Sequence, residues 1–549
     1  MRGAMAVRNE RFASAGDTPG KRARWQSGTS GLRPPGDTPG MRARWQSGTS
    51  GLRPPGDGSA TYERRARRDN AEPLSSPLRR RGRSWSLLYW AAFAAGLAWT
   101  IVLWARAAPL WSALDDEVGH FLLARDAWEH PGLMLNLWGR TGTTLSFMLP
   151  AAAGLGVARA AALAMSAATV LVATAVARFL GVRALALVPI FLWFQPWFHH
   201  YGNTVLTEIP MTLAMVAACW AALAERRALA SLLFGVLPLM RHEGIAVLGL
   251  WGLLLIWRRD WRLLALALAP FVLYHAIFSL VFWEPPFAVY FRTNPTRFYG
   301  HGGWLHYALP LARSLGPPVA LLAAAGLWLG RRDRRLVLLA APYVLYALVE
   351  VIIFRFGLFG SAGSVVFLFP VAPFAAVAAA VGTEQLIALL ERAPHAALRG
   401  RASAPLLLGA VLALAAVGYG LRSNPASADS AAGPMRQAVR FLEARHVDVG
   451  RVTATHVWFF ELSGADVPTG DKQVTGIHSP WSRPTRPRRL RPGALAVWDC
   501  FYSDRFGLRW RRLAASGFRV LARFGGGRVV VLRRGGRGRA PGHHPRCRA

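Results

Sequence analysis

Acidic residues are scarce in this sequence: 29 Asp and Glu stand against 65 Lys and Arg among 549 residues. Charged residues of both signs amount to 17%, where a soluble domain usually carries about 25%. An ordinary soluble globular chain is therefore excluded. Cysteine is almost absent as well. Cys219, Cys500 and Cys547 show no CxxC or Cys/His spacing, which argues against a structural zinc module and leaves a Cys500–Cys547 disulfide open. No Ser–His–Asp arrangement and no P-loop is present. The net charge of +36 invites a nucleic-acid reading, but no nucleic-acid fold signature accompanies it.

What the sequence has instead is apolar length. It is 53% hydrophobic with 22 Trp, a residue enriched at membrane interfaces. Apolar runs reach the roughly twenty residues needed to cross a bilayer core. They fall near 87–108, 142–157, 158–178, 183–198, 206–224, 228–240, 244–257, 262–283, 304–329, 335–354, 363–383 and 404–421. The pattern predicts an all-α polytopic membrane protein of about 11–12 transmembrane segments. Some of these runs are too short for ordinary spans.

The basic excess lies mostly outside this core. Residues 1–86 hold 18 basic and 7 acidic residues, and residues 423–549 hold 23 and 8. Solvated tails or attraction to a membrane surface account for them. Within 1–86, "GDTPGKRARWQSGTSGLRPP" (16–35) recurs at 36–55 with only Lys21 changed, to Met41. Two copies of a Gly/Pro/Arg-rich unit cannot bury a core, so 1–86 reads as a disordered basic tail. Translation from an upstream start would also produce such a tail. It is too long and polar for a signal peptide.

Arginine placement sets the expected orientation. "RRRGRSWS" (79–86), "AERRA" (224–228), "WRRDWR" (257–262), "RRDRR" (331–335) and "LRGRA" (398–402) should be cytoplasmic. The N-terminus is then cytoplasmic in a cell inner (plasma) membrane, and loops 109–141 and 284–303 face outward. Three runs between 142 and 198 break this parity unless 142–157, which contains Pro150, is embedded without crossing. "RFLGVR" (178–183) is then cytoplasmic. Residues 87–421 form the membrane domain and 422–535 a small extracytoplasmic α/β domain. In the latter, "PMRQAVRFLEARH" and "FGLRWRRLAASG" read as helices, "GALAVWD" and "GRVVVLRR" as strands. Residues 536–549 read as a disordered tail.

The rare acids gather at one edge. Asp115, Asp116 and Glu117 follow the first apolar run and precede "VGHFLLARDAWEHPG", which reads as an amphipathic helix on the membrane surface. An ionisable group there is costly and a functional candidate by default, although helix N-termini also favour acids as caps. Asp115 fits the capping role best. Arg140 in "LWGRTGT", His199 and His200, Glu208 in "LTEIP", and Arg241, His242 and Glu243 in "RHEG" stand at other edges. Loop 284–303 adds Arg292, Arg297, Tyr299 and His301. Each has a plain alternative: the His199–His200 pair as interfacial residues, Glu208 as a cap, Arg241–Glu243 as a buried structural pair, Arg355 as a helix anchor. Together, acids able to activate a hydroxyl and arginines able to hold a phosphate describe a site between lipid and water.

The order of these features resembles the GT-C superfamily of integral membrane glycosyltransferases, of the protein O-mannosyltransferase, aminoarabinose transferase and polyprenol-dependent mannosyltransferase types. "DDEVGHFLLARDAW" resembles their first-loop acidic motif and following surface helix, with Asp116–Glu117 matching its "DE". "LTEIP" is similar to their second acidic position, "LPLMRHEG" to a broken short-helix pair, and "FLFPVAPFAAVAAAVG" (367–382) to a late "LP-x-x-P" span. Arg140 stands where some relatives carry Lys. The resemblance covers roughly 87–421. It implies a polyprenyl-phosphate-linked sugar donor (hexosyl or mannosyl), a lipid, glycan or protein acceptor from the extracytoplasmic side, membrane lipids as surroundings, and no nucleic acid. Asp116 would be the general base, with Asp115 and Glu117 beside it. Arg140, Arg241 or Arg292 would hold the leaving phosphate, and Glu208, Glu243 and His301 would line the substrate. No cofactor is required and a divalent metal ion is optional; no metal ligands stand out. A transporter or lipid flippase is the main alternative. It should show an internal duplication and polar positions near mid-membrane, and neither is evident. A non-catalytic scaffold would leave the acids as caps.

Overall fold

The computed structural model describes residues 77–106, 115–283, 285–287, 300–358, 363–392, 404–422, 431–466, 490–500, 502–504 and 508–535. The tandem repeat, Arg292, Arg297, Tyr299, Cys547 and the 536–549 tail lie outside them. In chain order the helices are α1 (Pro77–Arg106), α2 (Asp115–Asp126), α3 (Thr141–Ala152), α4 (Leu155–Phe179), α5 (Leu187–Trp193), α6 (Pro196–Tyr201), α7 (Glu208–Leu223), α8 (Arg227–Met240), α9 (Gly244–Trp257) and α10 (Trp261–Phe282). They continue as α11 (Ala308–Leu315), α12 (Pro317–Leu329), α13 (Arg334–Phe356), α14 (Ala372–Arg392), α15 (Ala404–Arg422), α16 (Ala432–Glu443) and α17 (Val457–Ser463). Strand β1 (Leu495–Asp499), helix α18 (Trp510–Ala515), and strands β2 (Phe518–Phe524) and β3 (Val529–Arg534) complete the chain.

Among the described residues, five helices are long and apolar enough to cross a membrane: Ser86–Arg106 of α1, α4, α10, α13, and α14 with the 3₁₀ turn before it (Val365–Arg392). Helices α11 and α12 make a sixth if they count as one span, since they bend by 106° at Gly316–Pro317. Helices α7, α8, α9 and most of α15 are shorter apolar helices. The twelve runs read from hydropathy thus differ widely in length. The run 142–157 becomes α3, whose 12 residues span only about 18 Å. The run 183–198 becomes α5 and the start of α6, broken at Gln195–Pro196.

The helices share two common ends. At one end Glu384 of α14 accepts hydrogen bonds from the amides of Arg183 and Ala184, both at 2.6 Å. At the same end Arg335 donates to the Phe179 carbonyl at 3.4 Å, and Arg227, Arg258 and Arg335 line one cavity. The arginine-rich turns therefore gather together. At the other end lie α2, α3, the start of α7 and the joint between α8 and α9. That joint is tight: a Cβ on Gly244 would sit 2.6 Å from the Leu237 carbonyl carbon. Helices α12 and α14 also touch backbone to backbone, as a Cβ on Gly326 would lie 2.0 Å from the Ala378 oxygen. Small residues permit such approach in membrane helices.

The C-terminal part is a three-stranded antiparallel sheet in the order β1-β3-β2. The two strands expected from sequence are β1 and β3. Strand β2 was not expected; its pairing is interrupted by a register shift between Val520 and Ala522, which spoils the alternation that marks a strand. Helix α17 packs on α2, and residues of α16, α17 and the sheet share the membrane part's buried core. Cys500 is disulfide-bonded and Cys219 is a buried free thiol.

Candidate active site

Three acids begin α2, where the N-terminal end of the helix dipole favours negative charge. The helix is as expected, but its setting is not. Its residues from Glu117 to Ala124 are all buried, so it is enclosed rather than lying on a surface with one wet face. The cause is α17 together with α3, which cover what a lone surface helix would expose.

The three acids have different surroundings. Asp115 and Asp116 are half-buried. Glu117 is fully buried, and both its oxygens face Arg159 of α4, at 2.8 and 3.0 Å. Glu117 also accepts the Val205 amide at 3.3 Å. This bidentate pair ties α2 to α4 and to the segment before α7.

Asp116 faces a different company. Burial pushes its carboxyl up to about 6, and the nearby Glu208 carboxylate adds to the rise; Arg241 and Arg140 oppose it. Those groups come from three separate parts of the chain. Arg241, at the end of α8, is the hub. Its guanidinium donates to Glu208, to Thr207 Oγ1 at 3.1 Å, to both Glu243 oxygens at 3.1 and 3.0 Å, and to Glu350 at 3.4 Å. It also lies 4.6 Å over the Phe367 ring. Arg241, Glu208, Glu243 and Glu350 are all buried.

Arg140 closes the ring. It donates to the Leu137 carbonyl at 2.5 Å and contacts His242 Nε2. An arginine cannot accept, so this nitrogen of His242 is the acceptor and the ring is neutral. Arg140 holds φ 60° and ψ 107°, a conformation rare for a residue with a Cβ and typical of sites where surrounding contacts impose it. Next to it His120 stacks on Trp138 at 4.4 Å. Burial and the two arginines depress His120 to about 3, so it is neutral at physiological pH.

The structure thus brings Asp116, Arg140, Glu208, Arg241 and Glu243 together, while Glu117 turns to Arg159. His301 is exposed, beside Gly302, whose amide donates to the Phe354 carbonyl at 3.3 Å. Arg159, Glu350, His120 and His242 are additional members. A signal for two of them was in the sequence: Arg159 and Glu350 are lone charges inside apolar runs, which is unusual in a membrane helix. Among the described residues, Glu129, His130 and Asp466 form a group able to hold a metal ion, with ligand atoms within 4.8 Å of one another.

No protein-family model matches the sequence, and no curated protein is recognisably similar to it. Solved structures are similar in fold. ArnT from Cupriavidus metallidurans in the apo state has 15% identity and a TM-score of 0.55, and the match covers 82% of this chain and 98% of that one. The same protein bound to undecaprenyl phosphate has 17% identity and a TM-score of 0.55 over the same shares. The helical framework with its small C-terminal sheet is therefore similar in fold to ArnT, which agrees with the fold expected from the order of motifs.

Proposed function

We propose that this protein is a membrane glycosyltransferase. It moves a sugar from a polyprenyl-phosphate donor to a hydroxyl acceptor on the extracytoplasmic side. The observation that carries the reading is the half-buried Asp116, raised to about 6 and standing beside the Arg140 and Arg241 cluster. A carboxylate with that value is ionised at neutral pH yet basic enough to take a proton. One neighbouring structure holds undecaprenyl phosphate, which supports a polyprenyl phosphate as the lipid.

In the proposed step the acceptor hydroxyl gives its proton to Asp116. Its oxygen bonds to the anomeric carbon, and the carbon–oxygen bond to the lipid phosphate breaks with inversion. The lipid phosphate leaves with the bonding electrons. We assign Arg140, beside Asp116, to hold it; Arg241 is engaged by Glu208, Glu243 and Glu350. Arg241 then acts as a positioning residue for Glu208, which in turn raises Asp116. Glu117 fixes α2 through Arg159. The step needs no cofactor or metal ion. The sugar is read as a hexose, mannose first, on motif order alone; the acceptor class is a lipid, a glycan or a protein. The arginine end is assigned to the cytoplasm of an inner (plasma) membrane protein, with the C-terminal part outside.

The test is transfer from polyprenyl-phosphate sugars by wild type and Asp116→Asn in membranes, with mass spectrometry of glycans and lipids from a deletion strain to name the product. Loss of a general base should lower the rate about 10²–10⁴-fold. Unchanged transfer by Asp116→Asn would remove Asp116 from this role. Absence of transfer by wild type from any such donor would overturn the reading.

A further inference from the structure

The arginine end holds a second cavity, remote from Asp116. It has a volume of about 670 Å³ and lies where α7 and α9 end and α8 and α13 begin. Helices α7, α8 and α9, of 14–16 residues, separate it from the Arg241 cluster by roughly 20 Å. The size suits a ligand site.

The cavity has two chemistries. Its walls are apolar, formed by Phe234, Val247, Leu250, Trp251 and Leu254, with the Cys219 thiol among them. Its mouth carries three exposed guanidinium groups, Arg227, Arg258 and Arg335, against one carboxylate, Glu225. Leu338 of α13, also lining it, is 64% exposed, so one side faces the hydrocarbon around the helices. A free anion could use the mouth but not the walls, and an apolar solute the walls but not the mouth. A molecule with a phosphate next to a hydrocarbon chain uses both.

We infer that this cavity binds an anionic phospholipid of the adjacent leaflet, with an acyl chain along the apolar walls and the phosphate among Arg227, Arg258 and Arg335. Basic pockets between membrane helices take acidic head groups on these terms, and guanidinium pairs with phosphate in bidentate geometry. The lipid would clamp the ends of α7, α8, α9 and α13, whose opposite ends carry Glu208, Arg241, Glu243 and Glu350. The inference is independent of the proposed transfer reaction.

Purified full-length protein in detergent is titrated with phosphatidylglycerol, phosphatidylcholine of the same chains, and inorganic phosphate, and binding is read by native mass spectrometry. Phosphatidylglycerol should bind at least tenfold tighter than phosphatidylcholine. In Arg227→Gln/Arg258→Gln/Arg335→Gln its affinity should fall by about fivefold per arginine, with phosphatidylcholine unchanged. Alkylation of Cys219 in wild type, followed on its peptide, gives a readout that needs no variant: phosphatidylglycerol should slow it and phosphatidylcholine should not. Equal binding of the two lipids would overturn the inference, as would an unaffected triple variant. Protection by inorganic phosphate alone would assign the mouth to free anions instead.

Discussion

Two buried ion clusters sit at the same end of this molecule, and they differ in balance. Around Glu117 one carboxylate meets one guanidinium, Arg159, in a bidentate pair. Around Arg241 one guanidinium serves three carboxylates, Glu208, Glu243 and Glu350. The first is closed by a two-pronged pairing that ties α2 to α4. The second sets three carboxyl groups around one guanidinium, and the second oxygen of Glu350 has no hydrogen-bond partner among the described residues. Burying unmatched charge costs several kcal/mol per ion, and such imbalance clusters at functional sites. Asp116 lies beside this cluster; burial first, and the Glu208 carboxylate second, give it the basicity needed for its proposed role.

Removing the hub should have the largest effect. Arg241→Met strands three buried carboxylates, so it should cost more than the roughly 3–5 kcal/mol of breaking a single buried pair; thermal unfolding in detergent and yield of folded protein measure it. Adding Glu350→Leu should restore little, because two carboxylates remain. The closed pair should behave otherwise. Arg159→Met alone should cost about 3–5 kcal/mol, whereas Glu117→Leu/Arg159→Met should recover most of it, since an apolar replacement of a whole pair is often close to neutral. A full rescue at Arg241, or none at Arg159, would erase the distinction.

A smaller effect is expected where α17 meets α2. Glu461 faces Arg125 at 3.6 Å, yet burial first, with Asp126 adding, lifts it to about 7, against the pull of Arg125 and Arg159. Its folded value exceeds its unfolded one, so the folded form holds the extra proton. Stability should decline as pH rises from about 4.5 to about 7. Glu461→Gln should therefore raise the unfolding temperature at pH 8, by on the order of 1 kcal/mol in stability, and change little at pH 5. A loss of stability at pH 8 would mean that the Arg125 contact outweighs burial.

Much of this was legible in the sequence, and the omissions have physical causes. Asp116, Arg140, Glu208 and "RHEG" were visible because each polar group interrupts an apolar run at its edge. That they converge is tertiary information: Arg241 and Glu350 are 109 positions apart. Glu350 and Arg159 were passed over because hydropathy averages one charge away inside twenty apolar residues. Hydropathy also counts α3 and the bent α11–α12 pair like ordinary spans, although Pro150 and the Gly316–Pro317–Pro318 stretch mark where a straight helix is unfavourable. The covering of α2 by α17 could not be read at all, since it depends on residues more than 300 positions away. Strand β2 was missed because its bulge and its Leu, Ala and Arg content look helical.

The most direct test of the central claim is the pH dependence of kcat/KM for sugar transfer by wild-type protein in membranes. If Asp116 is the base, activity falls with decreasing pH on a single-proton limb near pH 6, because only the ionised carboxylate accepts the acceptor's proton. A profile flat from pH 5 to 8, or a limb near the ordinary aspartate value of about 4, would contradict it.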